Sequence, residues 1–305
     1  MTWFYLALIG PFLYALTNHI DKVLLERYFK EGGAGTLLIF SALLSVIVLP
    51  ILFIIDPTVL QVSVLHIIAL AGVGILNVLV LWCYLAALED EEASVTVVFY
   101  QLVPVFASIL AYFLLHEVLS VHELIAMAII IFGTSIVSFE MDVENRFKLR
   151  MKTVVLMTLA AFFWGLESVI FKAVALDERV VRSLFWEHLM LTIIGICIFV
   201  FIRKYRHHFL LALRENSKGI LLLNVLNESL YMGGNIIFSF AYLLAPVALV
   251  LLAESYQPLF TFAISIYLFI ALPELVSEKM HRKHLWQKGI AILITGIGTY
   301  ILFMP

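Results

Sequence analysis

Ten apolar runs, each close to 20 residues long, restrict this chain more than any other feature. They cover 2–20, 34–55, 63–88, 94–115, 121–139, 153–176, 183–202, 219–244, 246–270 and 285–303. A helix rises about 1.5 Å per residue, so roughly 20 apolar residues carry it across a hydrocarbon core about 30 Å thick. Water could not solvate ten such segments. Only 13% of the 305 residues are charged and 63% are hydrophobic, with a mean hydropathy of +1.07. A soluble domain carries about a quarter charged residues. The alternating ~10-residue segments of a membrane barrel are not seen. The expectation is an all-α membrane protein with ten transmembrane helices.

The ten runs divide into two sets of five. Phe162-Phe163-Trp164-Gly165-Leu166-Glu167-Ser168-Val169-Ile170-Phe171-Lys172 echoes Phe12-Leu13-Tyr14-Ala15-Leu16-Thr17-Asn18-His19-Ile20-Asp21-Lys22, 150 positions earlier. The fourth run has Pro104 and then Glu117 at its exit, and the ninth has Pro258 and then Glu274. Gly133-Thr134 and Gly298-Thr299 close the last run of each set. An odd number of spans per copy makes the second copy enter the membrane from the opposite face, so the repeat is inverted. The expected domains are 1–139, a polar linker over 140–152 with alternating charge, and 153–305.

Charge in the loops sets the orientation. Loops 21–33, 89–92, 140–152, 203–218 and 271–288 carry 3, 0, 4, 5 and 4 Lys or Arg, leaving three of the 19 for the other side. Short basic loops stay in the cytoplasm, which places both termini outside. The acidic run Glu89-Asp90-Glu91-Glu92 does not oppose this, because acidic residues contribute little to the rule. The first run lacks the basic start and cleavage site of a signal peptide and reads as a retained span. Cys83 and Cys197 both fall inside predicted spans and imply no disulfide.

Ten spans, the five-plus-five duplication, an aromatic-small-Leu segment opening each half, and a Glu after the fourth span of each half resemble the EamA branch of the drug/metabolite transporter superfamily. The resemblance covers the whole chain. It implies a transporter with a central cavity and leaves the substrate open, because the superfamily includes amino-acid exporters, drug-efflux proteins and sugar-phosphate exchangers. It also implies cytoplasmic termini, against the loop arithmetic.

A charged side chain at the bilayer centre costs about 2.5–3.5 kcal/mol on insertion scales, so intramembrane carboxylates are functional candidates. Glu167, Glu228 and Glu254 qualify, all in the second half. Helical spacing groups Asn224, Asn227, Glu228, Tyr231 and Asn235 on one face, Glu254, Gln257, Thr261 and Ser265 on another, and Trp164, Glu167 and Ser168 on a third. The first half contributes Tyr14, Asn18 and Asp21; Asn77, Trp82 and Tyr84; and Thr96, Tyr100, Gln101, Pro104 and Ser108. The expected substrate-binding set is Trp164, Glu167, Asn227, Glu228, Tyr231, Glu254, Gln257, Tyr14, Asn18, Trp82, Tyr84, Tyr100 and Gln101. Glu228, Glu254 and Glu167 are the proton-coupling candidates.

Plainer roles suit other residues. Asn224, Asn235, Thr261, Ser265 and Ser108 fit interhelical hydrogen bonding as readily as ligand binding. Trp3 and Trp286 fit the interfacial belt, Lys22 and Lys172 can snorkel, and Glu117 and Glu274 suit helix ends. Glu187-His188 reads as interfacial and His207-His208 as part of a solvated loop.

The function expected is secondary transport in a bacterial inner membrane. Small cationic or zwitterionic metabolites such as amines, amino acids or lipophilic cations would be exported in exchange for protons. A facilitator or exchanger of a neutral metabolite, or a flippase of a lipid-linked molecule, uses the same cavity without protons and stays open. No HExxH, GxSxG or P-loop run occurs, so no enzyme, cofactor or metal site is expected. The expected partners are a small-molecule substrate and the lipid bilayer. A homodimer stays open, and no surface suggests nucleic acid.

Overall fold

The structure, a computed structural model, describes residues 2–24, 33–88, 96, 99–138, 151–271 and 282–304. Among these the ordered elements are all helical. In order they are α1 (Thr2–Val23), α2 (Gly33–Leu44), α3 (Val48–Ile55), α4 (Val64–Leu88), α5 (Val103–Leu114) and α6 (Val121–Ser138), then α7 (Met151–Asp177), α8 (Val180–Phe201), α9 (Arg203–Ala241), α10 (Val247–Leu252), α11 (Gln257–Ala271) and α12 (Arg282–Leu302). Among the described residues, five segments, Gly35–Ile55, Val64–Leu88, Met151–Asp177, Val180–Phe201 and Val247–Ile264, are long and apolar enough to cross a membrane. Most of the 140–152 linker, Glu89 through Glu92, Glu274, and the side chains of Lys22 and Ser265 lie outside the described residues.

One expected loop is helix instead. Residues 203–218 continue into α9, which runs 39 residues without interruption. The segment contains neither Pro nor Gly, so nothing in it breaks a helix. At 1.5 Å per residue α9 is about 58 Å long, nearly twice the hydrocarbon thickness. Its N-terminal turns pack beside α2 and α8, where Phe209 meets Phe40 at 4.4 Å and Phe199 at 5.6 Å.

Two other helices are interrupted. A short 3₁₀ turn, Tyr100–Leu102, leads into α5, and another, Ala253–Tyr256, joins α10 to α11. Each is followed by a proline, Pro104 or Pro258, whose missing N–H cannot extend the i→i−4 ladder. The two turns touch. Gln101 Nε2 donates to the carbonyl of Ser255 at 3.4 Å, and Gln101 Oε1 accepts from Thr134 Oγ1 at 3.0 Å.

Elements from the two halves of the chain interleave. α4 packs along α7 and α1 along α9; α5 lies against α7 and α11 against α1; α4 meets α8 and α2 meets α9. α6 and α12 form the tightest pair, with close approach at two glycines. A Cβ added at Gly133 would lie 2.6 Å from Thr295 Oγ1, and one at Gly298 would lie 2.8 Å from Ile130 Cγ1. Small residues let membrane helices approach to this range, where dispersion contacts replace the hydrophobic effect as the source of cohesion.

Candidate functional site

Two adjoining cavities lie among α1, α2, α4, α7, α8, α9 and the interrupted helices. The first, about 600 Å³ of space between atoms with open solvent included, is edged by Tyr14, Asn18, Tyr84, Tyr100, Trp164, Glu167, Tyr231, Asn235 and Gln257. The second, about 460 Å³ on the same measure, is edged by Ser41, Ser45, Asn77, Asn227 and Glu228. Thr17, Asp21, Leu81 and Tyr231 line both. Among the described residues, neither lining contains a Lys, Arg or His.

The first cavity is aromatic. Trp164 meets Tyr100 edge to face at 5.1 Å and Tyr14 at 6.0 Å, and Tyr14 lies 5.4 Å from Tyr231 and stacks on Phe238 at 6.0 Å. Gly234 makes room for that stack, because a Cβ there would come within 2.5 Å of the Tyr14 ring. Such rings offer apolar area together with the negative faces that attract cations.

Around the rings stand carboxylates with neutral partners. Asn77 Nδ2 donates to Glu167 at 3.2 Å, Asn235 Nδ2 to Glu187 at 3.1 Å, and Asn227 Nδ2 to Asp21 at 2.7 Å. The Tyr84 hydroxyl donates to Asn18 Oδ1 at 3.0 Å and reaches Asp21 Oδ2 at 3.4 Å. The Ser41 hydroxyl bonds Glu228. Exposure is 7% or less at Asp21, Glu167, Glu187, Glu228 and Glu254. Neither oxygen of Glu254 has a hydrogen-bond partner, although its side chain is fully buried in the 3₁₀ turn.

The expected substrate-binding residues divide accordingly. Trp164, Glu167, Tyr231, Gln257, Tyr14, Asn18, Tyr84 and Tyr100 border the first cavity, and Asn227 and Glu228 the second. Glu254 borders neither, and Gln101 is spent on helix packing. Trp82 is a correction: it is 40% exposed on the outer surface of α4. It stands five residues after Asn77, about 140° around the helix from the inward stripe of Asn77 and Tyr84.

Three further readings change. Asp21, grouped with Tyr14 and Asn18 but outside the expected substrate-binding set, borders both cavities, so buried carboxylates are not confined to the second half. Its spacing of three from Asn18 and seven from Tyr14 puts it on their face of α1. Glu187 and His188, read as interfacial or at a cavity mouth, are buried inside the bundle at 2% and 1% exposure, Glu187 beside the cavity residue Asn235, and both ring nitrogens of His188 lack a partner among the described residues. Lys172 does not snorkel. It is buried, pairs with Glu117, and donates to the Ala245 carbonyl at 2.7 Å, while Glu117 accepts the Val247 N–H at 2.8 Å. Glu117 thus serves a helix end, that of α10. Tyr242, which exchanges a 3.0 Å hydrogen bond with Ser168, was missed although it lies seven residues beyond Asn235.

Residues 1–139 match the EamA-like transporter family. The resemblance read from the sequence is thereby borne out over the first half of the chain. Together with the apolar helices, the EamA match indicates a multi-pass membrane protein. A protein of known crystal structure aligns over 98% of this chain and 98% of its own, with a TM-score of 0.63 and 12% sequence identity, a likeness of fold alone. No curated protein matches the chain.

Proposed function

We propose that the protein is a secondary transporter that exports small cationic or zwitterionic metabolites, with buried carboxylates carrying protons in the opposite direction. One observation carries the reading: the carboxylates beside the cavities are held by amides and hydroxyls, and no described cation meets them. A partnered cation would occupy the site permanently, whereas a neutral partner orients the carboxylate and leaves its charge for something that comes and goes. The rings of Tyr14, Tyr100, Trp164 and Tyr231 add cation-π attraction of about 0.5–2 kcal/mol each. Glu228 and Glu254 are the proton carriers in this scheme, with Glu167 assisting. Among the bases inside the bundle, His188 follows Glu187 in sequence and His19 lies against Thr261.

The scheme needs an architecture with two alternately open sides, and we infer ten spans arranged as two inverted repeats, 1–139 and 153–305. Reciprocal contacts support this. Gly133 packs at Thr295 as Gly298 does at Ile130, with Gly133 and Gly298, and likewise Ile130 and Thr295, 165 positions apart. Asn18 bonds Tyr84 as Ser168 bonds Tyr242. α4 on α7 answers α9 on α1, as expected of surfaces related by a two-fold axis. The count of Lys and Arg in the loops supports a reading with both termini outside a bacterial inner membrane.

Proteoliposome flux tests the function. Expected is a labelled amine or amino acid driven by a pH gradient, with Glu228→Gln and Glu254→Gln each reducing that flux about tenfold or more. Unchanged rates and pH dependence in both variants would sink proton coupling, and uptake that survives collapse of the gradient would favour a facilitator.

A further inference from the structure

We infer that the two cavities form one bipartite site whose cognate ligand is a primary amine without a carboxylate: the ammonium in the second cavity, the apolar or aromatic body in the first. This rests on the transport reading and narrows its substrate class.

The second cavity is built for a small cation. It brings two carboxylates, Asp21 and Glu228, together with hydroxyls of Ser41 and Thr17 and the amide of Asn227. Asn227 is 3% exposed, its nitrogen is committed to Asp21, and its Oδ1 has no partner. A buried carbonyl oxygen without a donor is costly, by about 1–3 kcal/mol, and an incoming N–H removes the cost. An ammonium carries three donors and no acceptor, and Asp21, Glu228 and Asn227 Oδ1 supply acceptors of the matching kind. Hard oxygen ligands alone would also suit an alkali ion.

The adjoining cavity decides in favour of an organic amine. Asp21 and Tyr231 border both spaces, so a head group at Asp21 has its tail directed among Tyr84, Tyr100 and Trp164. A bare alkali ion would leave these rings without a role. An amino acid would bring a carboxylate into a lining that, among the described residues, has no Lys, Arg or His and already holds three carboxylates, Asp21, Glu167 and Glu228. Like charges in so confined a space repel, and the zwitterion is rejected.

Phenethylamine, phenylalanine, 2-phenylethanol and sodium chloride, titrated calorimetrically into the purified full-length protein in detergent, separate these cases. Phenethylamine should bind at least about tenfold tighter than phenylalanine or the neutral alcohol, a gap of about 1.4 kcal/mol. Asp21→Asn and Glu228→Gln should each weaken the amine by about tenfold or more while phenylethanol is unaffected, and an unchanged unfolding midpoint confirms that each variant folds. Phenylalanine binding as tightly as phenethylamine overturns the inference, as does amine affinity indifferent to both variants. Sodium competing at the same site with no amine heat assigns the cavity to an alkali ion and also overturns it. Amine binding without flux in proteoliposomes would retain the site and reject transport; flux of phenylalanine but not of the amine would do the reverse.

Discussion

At the C-terminal end of α7, Glu117 meets Lys172, Asp56 meets Arg182 at 3.5 Å, and Glu178 meets His66 at 2.8 Å and Arg182 at 3.6 Å. Around the cavities, Asp21, Glu167, Glu187 and Glu228 meet amides and hydroxyls, and Glu254 meets no hydrogen-bond partner. The two regions use the same side chain for opposite ends. Where a fixed cation answers the carboxylate, the contact joins chain segments: Lys172 and Glu117 tie α7 to the start of α10, and Arg182 ties α8 to the 56–63 connection. Where a neutral group answers it, the charge stays unspent. The contrast separates residues that hold the bundle from those that can exchange a cation, and substitutions should fall on one side or the other.

The largest expected effect is on the joining side. Lys172→Met leaves Glu117 partly buried without its cation, and the loss of one partner of such a pair costs about 3–5 kcal/mol. The unfolding midpoint of the purified protein should drop sharply. Lys172→Met combined with Glu117→Gln should recover most of the loss, because no lone charge is then left behind. A single variant as stable as the parent would mean that the pair holds nothing.

This pair also shows what the sequence can and cannot reveal. The match of Glu117 with Glu274 and of Lys22 with Lys172 is visible as text, and so are the apolar runs that become helices. That Lys172 reaches across to Glu117 is not, because helical periodicity ranks neighbours within a helix and is silent about which helices touch. Trp82 was misplaced for a related reason: an aromatic next to a polar stripe in sequence can lie 140° from it in space. Residues 203–218 read as a loop from their charge, yet charge does not end a helix when neither Pro nor Gly intervenes.

On the exchanging side the comparison predicts a smaller effect on stability. Asn77→Leu removes the amide that holds Glu167, at about 1–3 kcal/mol for a buried acceptor left without its donor. The cost should fall well below that of Lys172→Met in the same thermal assay, and it should be accompanied by altered flux. A loss of stability with flux untouched would place Asn77 on the joining side. Smaller still is Arg182→Ala, which breaks contacts to Asp56, Thr58, Gln61 and Glu178 near the bundle end. Ion pairs within reach of water are worth about 0–1 kcal/mol, so its midpoint should shift by at most a few degrees.

Acid should act most gently, and its sign follows from the carboxylates outside the membrane. Asp56 is held below the usual carboxylate range by the Thr58 hydroxyl and N–H, helped by Arg182, and Glu178 by the His66 ring, the Ser63 N–H and Arg182. A carboxyl more acidic when folded contributes stability above its unfolded pKa, near 4, and loses it as the pH falls through the lower folded value. Between about pH 7 and pH 5 these two groups should therefore change nothing, and destabilisation from them should set in below about pH 4. Asp56→Asn with Glu178→Gln should lower the neutral-pH midpoint slightly and shrink the acid step. If the acid step keeps its full size in that double variant, the interior carboxylates are its source, and the division between joining and exchanging carboxylates would have to be redrawn from the cavity outward.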